Sequence, residues 1–544
     1  MSLNYHRTLP DVFAQACQEF AESPVFTCMD HTIRFRELDQ LSGQFAAYLQ
    51  QHTTLKPGDR IAVQLPNILQ YPVVVFGALR AGMVVVNTNP LYTAHEIKHQ
   101  LNDSGAKALV VLANIAKNAA SIIAETPVEQ VIVTELADLH PPVKRMLINS
   151  VVKYVKKLVP DFSFPFQVSF RAALQMAEKT WQPVSTSPED IAVLQYTGGT
   201  TGVAKGAMLT HRNLVANMEQ LNEQMKCAFR RNQETYIAPL PLYHIYSFTI
   251  HCTSAVALGN HSVLIPNPRD IPQFVKTLQK YPFTLFVGLN TLFNALLRNE
   301  EFRKLDFSRL HLTSSGGMAL TAETANKWKE LTGSPITEGY GLTETSPVVS
   351  SNKPEHVQYG TVGCPVPDTE CKVIDEAGNN LPIGEAGELC IRGPQVMKGY
   401  WQRPEATAEV LSHDGWFKSG DMAVIAADGY IKIVDRKKDM INVSGFKVYP
   451  NEVEDVLASH SDIVEAAVIG VPDPEGGEIV KAFVVSANPD LSVQQVRDFA
   501  KTKLTAYKVP HQIEFCKELP KTNVGKVLRR ELRDQEVAKR QSAQ

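Results

Sequence analysis

Apolar positions along the chain follow two alternating periods, and the alternation predicts an α/β fold. Val12, Phe13, Ala16 and Phe20 fall at helical spacing, and residues 35–49 carry a second amphipathic pattern. Gly58-Asp-Arg-Ile-Ala-Val-Gln-Leu65 reads as a strand after a turn, residues 72–82 as a helix, and Met83-Val-Val-Val-Asn87 as the next strand. Ala108-Leu-Val-Val-Leu112 and Gln130-Val-Ile-Val133 continue the series. Short continuous apolar runs between helices suit buried sheets, because a strand covered on both faces has no polar side to alternate with. Residues 360–400 read instead as short strands with tight turns, including Cys371-Lys-Val-Ile374 and Gly387-Glu-Leu-Cys-Ile-Arg392, punctuated by Gly378, Pro382, Gly384 and Gly393. That pattern predicts a small β subdomain. Past the charged run Asp435-Arg-Lys-Lys-Asp439 a compact α+β pattern restarts, helical over 452–459 and 493–504, strand-like over 465–471 and 480–485. The expected organisation is a large N-terminal domain, 1–436, with buried sheets and a β subdomain, and a small α+β C-terminal domain, 437–544.

The pattern changes between residues 136 and 185. Leu147, Ile148, Val151, Val152, Val155, Leu158 and Val159 form one helical stripe, with Lys153, Lys156 and Lys157 on the other side and Lys144 and Arg145 just before. The first expectation is an ordinary surface helix whose stripe faces the core. The alternative is a basic amphipathic helix, near 144–159, lying on an anionic membrane surface.

Composition narrows the class. A chain of 544 residues, 44% hydrophobic and 20% charged, is ordinary for a globular protein. The net charge of −3 gives no argument for nucleic acid as a partner. Eight scattered Cys without a Cys-x-x-Cys pair suggest neither a zinc site nor a disulfide framework. The N-terminus lacks the apolar core of a signal peptide, and residues 72–86 are broken by Arg80. The expected location is the cytoplasm, with peripheral contact on the inner face of the membrane as the alternative. The oligomeric state is left open, a homodimer included.

The chemistry concentrates first in Tyr196-Thr-Gly-Gly-Thr-Thr-Gly-Val-Ala-Lys-Gly206, which holds four Gly and three Thr between two apolar runs. Gly brings backbone N–H groups close to an anion, Thr hydroxyls add donors, and Lys205 adds a positive charge. The stretch predicts a phosphate grip. It is not a P-loop: counted from Gly199, Ala204 stands where the second Gly belongs and Gly206 where the metal-binding hydroxyl belongs. A metal would need another ligand. Glu344, in Ile336-Thr-Glu-Gly-Tyr-Gly-Leu-Thr-Glu344, is such a carboxylate, since Mg²⁺ favours one or two carboxylates with phosphate oxygens. Leu310-His-Leu-Thr-Ser-Ser-Gly-Gly317 is a second strand running into a Gly turn. Asp421 follows Gly420 and is expected at a turn, where its carboxylate suits a ribose diol. His244, among Tyr243, Tyr246 and Phe248, is by itself more readily a packed structural residue than a catalyst. Lys526 lies in Leu519-Pro-Lys-Thr-Asn-Val-Gly-Lys526, a loop by composition.

These segments, in this order, resemble the adenylate-forming superfamily, from about Leu9 to Arg533. The resemblance rests on residues 196–206, Tyr340-Gly-Leu-Thr-Glu344, Gly420-Asp421, Asp435-Arg436 and Pro520-Lys-Thr-Asn-Val-Gly-Lys526. Residues 414–421 and 443–452 are similar to the fatty-acyl-CoA synthetase signature. Leu240-Pro-Leu-Tyr-His-Ile245 and Asn267-Pro-Arg-Asp-Ile271 are similar to bacterial long-chain fatty acid–CoA ligases. The resemblance implies that fatty acid and ATP give acyl-AMP and pyrophosphate, and that coenzyme A then gives acyl-CoA and AMP. It implies that Thr197, Gly198, Gly199, Thr200, Thr201, Gly202 and Lys205 hold the β- and γ-phosphates and that Gly316 and Gly317 border the adenine. Tyr340 would stack on the base beside Gly341, Thr343 would bind the α-phosphate, and Glu344 would hold Mg²⁺. Asp421, with Arg436 nearby, would take the ribose. Lys526 would reach the reacting carboxylate and phosphate. Lys438 would be the hinge of a mobile C-terminal domain that brings Ser444, Gly445 and Phe446 towards the CoA site. His244 and Phe248 would border the acyl tunnel. The competing readings are an acyl-AMP ligase serving a carrier protein and a non-catalytic fatty-acid binding or uptake protein.

Overall fold

Most of the predicted runs form the predicted elements. The computed structural model describes residues 3–177, 180–197, 204–443, 446–472, 478–522 and 527–542. Helix Leu9–Glu19 starts at a Thr8–Asp11 capping box and buries Leu9, Val12, Phe13, Ala16 and Cys17 on one face. Helix Gln70–Arg80 is buried on every side, which explains its continuous apolar sequence. Arg80 at its end is tolerated inside because its guanidinium donates to the Asp39 carbonyl and to Ser42 Oγ, at 2.8 and 2.9 Å.

Two large sheets carry the N-terminal part. One orders the strands Gln167–Ser169, Gln130–Thr134, Ala108–Leu112, Arg60–Gln64, Val84–Asn87, Ile191–Thr197 and Lys205–Thr210. Its pairings are parallel except for the last, the hairpin that closes the Gly/Thr stretch. The other is nine-stranded and mixed, and includes Leu285–Gly288, Leu312–Ser315 and Ile336–Gly341 as parallel neighbours. Chain order breaks repeatedly in both sheets, and in such sheets ligands gather beyond the carboxyl ends of the strands. Thr197, Ser315 and Gly341 end three of these strands.

The β subdomain is larger than expected. Its four antiparallel strands are Glu370–Ile374, Ala386–Arg392, Phe417–Ile425 and Ile431–Arg436. Asp421 therefore lies within a strand, paired with Arg436 across the ladder, and not at a turn. The turn-like geometry is confined to Gly420, whose φ of +70° a side chain would strain.

Beyond Arg436, a 3₁₀ turn Lys437–Asp439 leads to the hairpin Ile441–Val443 and Phe446–Val448. A three-stranded sheet, Ile463–Pro472, Glu478–Ser486 and Gln512–Phe515, follows. Helices Pro450–Ala458 and Val493–Lys501 cover it, with an apolar core of their own built on Val448, Val453, Leu457, Val468 and Val496.

The basic amphipathic segment departs from its first expectation. Helix Pro142–Ser150 and the π-helical turn Val151–Val155 contain no fully buried residue: Ile148, Val151, Val152 and Val159 of the stripe are half-buried, while Leu147, Val155 and Leu158 are exposed. Periodicity located the stripe; packing covers one side of it and leaves the other in solvent. Among the described residues no helix is long and apolar enough to cross a membrane.

Candidate active site

The strand ends converge on one cavity of about 920 Å³ with two kinds of wall. Thr197, Lys205, Tyr340, Thr343, Glu344 and Arg436 line one part, and Met225, Phe229, Ile250, Leu285, Leu312 and Val348 line the other. His244, Gly316, Gly317 and Gly341 border it as well. Two of these glycines are required by close approach. A Cβ on Gly316 would lie 3.0 Å from the Tyr246 ring, and one on Gly341 would lie 2.0 Å from the Pro347 carbonyl oxygen.

The polar part is a set of interlocked side chains. Tyr340 Oη donates to Asp421 Oδ2 at 2.5 Å, and Arg436 Nε pairs with Asp421 Oδ1 at 3.0 Å. Burial, reinforced by Asp421, holds the Tyr340 hydroxyl protonated well above its usual range. Glu344 sits in the 3₁₀ turn Thr343–Thr345, its carbonyl accepting from Met397 N at 2.8 Å. Its carboxyl accepts from Tyr400 Oη at 2.7 Å. Burial raises the Glu344 pKa, and the Tyr400 hydrogen bond partly opposes that rise. Lys205, facing Thr197 across the hairpin, places its Nζ 5.2 Å from the Tyr400 ring centre. A half-buried carboxyl in the wall of a cavity, its pKa raised by desolvation and its side chain held by one tyrosine, fits a divalent cation. The cation would restore the charge that burial disfavours.

Tyr400 went unassigned at the level of sequence. It stands 56 residues from Glu344, outside any recognisable motif, and only the fold brings the two together. Tyr400→Phe is expected to shift the acid limb of kcat/KM to higher pH. Without the hydroxyl the Glu344 pKa rises further, so the carboxylate is lost earlier as pH falls. A profile superimposable on that of the unaltered enzyme would contradict this.

Phe248 is 1% exposed and packs in the main apolar core with Leu242 and Cys252, next to Tyr243, His244, Ile245, Tyr246 and Ile250, which line the cavity. A π-helical turn, Phe248–Ser254, follows the Ile245–Ser247 turn, and Phe248 is packed inwards at its start. His244 caps the Ile245–Ser247 turn, its Nδ1 accepting from Tyr246 N at 3.3 Å. Phe446 is exposed and stacks on Tyr507 at 4.9 Å, away from the cavity lining. Lys438 is exposed in the Lys437–Asp439 turn, and partial desolvation there lowers its pKa. Gly198, Gly199, Thr200, Thr201, Gly202, Ser444, Gly445 and Lys526 lie outside the described residues. Lys521, Thr522 and Leu528, on either side of the segment that holds Lys526, line the cavity.

With this geometry in view, the comparisons with known proteins agree. Residues 13–401 match the AMP-binding enzyme family, and residues 452–526 match the AMP-binding enzyme C-terminal domain. The chain belongs to the AMP-binding enzyme family. A long-chain-fatty-acid–CoA ligase of Escherichia coli O6:H1 is 52% identical over 533 residues, covering 97% of this chain and 95% of that protein. One from Haemophilus influenzae is 49% identical over 540 residues, covering 98% and 96%. Among solved structures, the anthranilate CoA ligase AuaEII in complex with anthranoyl-AMP superimposes with a TM-score of 0.87. Its identity is 27%, over 100% of this chain and 99% of that one.

Proposed function

We propose that this chain is an ATP-dependent, AMP-forming long-chain fatty acid–CoA ligase. A fatty carboxylate attacks the α-phosphate of ATP, forming acyl-AMP and releasing pyrophosphate. The thiol of coenzyme A then attacks the mixed anhydride, forming acyl-CoA and releasing AMP. The observation that carries this reading is one cavity whose charged wall runs directly into an apolar one. An acid with a long hydrocarbon tail and a triphosphate can share it only with the carboxylate towards the polar side.

The first step joins two anions, so positive charge and positioning supply most of the catalysis. Lys205 and Arg436 line the polar wall, and both ends of the Lys526 segment reach it. In this reading Lys205, Thr197 and the neighbouring Gly/Thr residues hold the outgoing pyrophosphate, and Thr343 holds the α-phosphate. Tyr340 and Asp421 present a base-stacking ring and a ribose acceptor as one hydrogen-bonded unit. Mg²⁺, when bound, neutralises phosphate charge, and Glu344 would hold it. AMP formation with and without coenzyme A, across a chain-length series of carboxylic acids, tests the whole. AMP release that needs coenzyme A and grows with chain length supports it; release that needs a carrier protein, or none at all, overturns it.

The division at residue 436 and the hinge at Lys438 belong to the same reading. Arg529 of the last helix spans the turn, its Nη1 3.5 Å from Asp435 and 3.4 Å from Asp439, the residues that bracket Lys438. Asp435 also accepts from Asn451 N at 2.7 Å. Turning about Lys438 would move residues 437–544 as a body and exchange one half-reaction for the other. A 3₁₀ residue has φ near about −60°, which Pro accepts. Lys438→Pro is therefore expected to preserve adenylation and to slow thioester formation roughly a hundredfold, measured as separate half-reactions. Unimpaired thioester formation would remove the hinge. Peripheral contact with the inner membrane face completes the reading, because the substrate is itself a membrane-partitioning amphiphile.

A further inference from the structure

The helix at 142–155 leaves in solvent an apolar surface that the proposed chemistry does not use. Val143, Met146, Leu147, Tyr154, Val155 and Leu158 are between 54% and 76% exposed. Val143, Leu147 and Tyr154 recur at helical spacing, so they share one face. The same stretch, 142–160, carries Lys144, Arg145, Lys153, Lys156 and Lys157 and no Asp or Glu. Polar links fasten the helix to the body. Asn149 Oδ1 accepts from Ala137 N at 3.0 Å and its Nδ2 donates to Glu135 at 2.9 Å, while Lys144 donates to the Met29 and Asp30 carbonyls at 2.5 and 3.1 Å. It is a fixed platform whose outer face stays exposed among the described residues.

We propose that this platform docks the protein on an anionic lipid bilayer, its apolar face in the acyl boundary and Arg145, Lys153, Lys156 and Lys157 among the headgroup phosphates. Charge selects this occupant over a second copy of the chain. A two-fold contact through this face would bring the same cations together with no acid in the segment to pair them. Length excludes a span and leaves an interfacial position. The placement also has direction. The helix follows strand Gln130–Thr134, which is linked through parallel neighbours to Val84–Asn87 and Ile191–Thr197. The carboxyl ends of those last two strands continue into Asn89, Tyr92 and Thr197 in the cavity wall. Docking therefore turns the substrate-binding edge of the sheet towards the lipid that holds the fatty acid. The inference rests on the peripheral-contact reading above and adds to it the surface and the lipid charge.

Flotation of the full chain with vesicles of phosphatidylcholine, alone or mixed with phosphatidylglycerol, tests the proposal. Two variants accompany it, Leu147→Ser with Tyr154→Ser, and Lys153→Glu with Lys156→Glu and Lys157→Glu. Since no altered residue is buried, both should fold, and their adenylation of detergent-dispersed acid should equal that of the unaltered chain. The expected result is binding to the anionic vesicles that salt weakens, lost roughly a hundredfold by the charge variant and roughly tenfold by the apolar one. Equal binding by both variants would overturn the helix while leaving peripheral contact standing. No binding by the unaltered chain would overturn both. A dimer in sedimentation that both variants dissociate would assign the face to a second copy and overturn the lipid proposal.

Discussion

Replacing Lys526 by Ala is expected to lower acyl-adenylate formation by roughly 10²–10³-fold while leaving thioester formation from supplied acyl-AMP nearly intact. Adenylation brings a carboxylate against a phosphate, and their repulsion must be offset where the new bond forms. Thioester formation starts from a mixed anhydride in which that charge has already been redistributed, so the same cation has less to do. The chain supports this division of labour. Lys521, Thr522 and Leu528, on either side of the segment that holds Lys526 and C-terminal to Lys438, line the cavity. A turn about Lys438 would carry the loop away before the thiol reacts. Pyrophosphate release and single-turnover thioester formation, measured separately, check the result. Equal loss in both half-reactions would make Lys526 a structural residue and not a charge supplied to one step.

Glu344→Ala should be as severe, with pyrophosphate release down by roughly 10²–10³-fold and the Mg²⁺ concentration for half-maximal rate raised. The backbone of the turn does not depend on the carboxyl. Met397 N donates to the Glu344 carbonyl, and Thr345 Oγ1 bonds to the Leu342 carbonyl at 3.1 Å. The substitution therefore removes an ionisable group from the cavity wall and leaves its support in place. Normal pyrophosphate release with unchanged Mg²⁺ dependence would falsify the metal assignment. Glu344→Ala and Tyr400→Phe should also be non-additive, since the tyrosine acts through the carboxyl it holds.

Parts of this site were legible in the chain because their residues are neighbours. Thr343 and Glu344 follow one strand, Gly316 and Gly317 follow another, and Thr197 to Lys205 span one hairpin. Such groups carry local signals, namely apolar runs ending in Gly, hydroxyl and charged residues. Asp421 and Arg436 were recognised as separate motifs, but their pairing and the Tyr340 hydrogen bond depend on a ladder between two strands and on a third element. Tyr400 had no local signal. Phe248 lies beside aromatic neighbours that line the cavity, and only the packing of the π-helical turn that begins there shows its own side chain in the core.

The sequence alone determined the alternation of strands and helices and the compact α+β unit after residue 439. Those features follow from periodicity and backbone preference over a few residues, which act before any long-range contact forms. Only the tertiary structure decided which side chains meet and which apolar faces stay uncovered. The segment at 142–155 shows why. Its 3.6-residue period defines a stripe, but whether the stripe meets core or solvent depends on what the rest of the chain packs against it, and here the described chain covers Ile148, Val151 and Val152 only in part and leaves Leu147 and Val155 exposed.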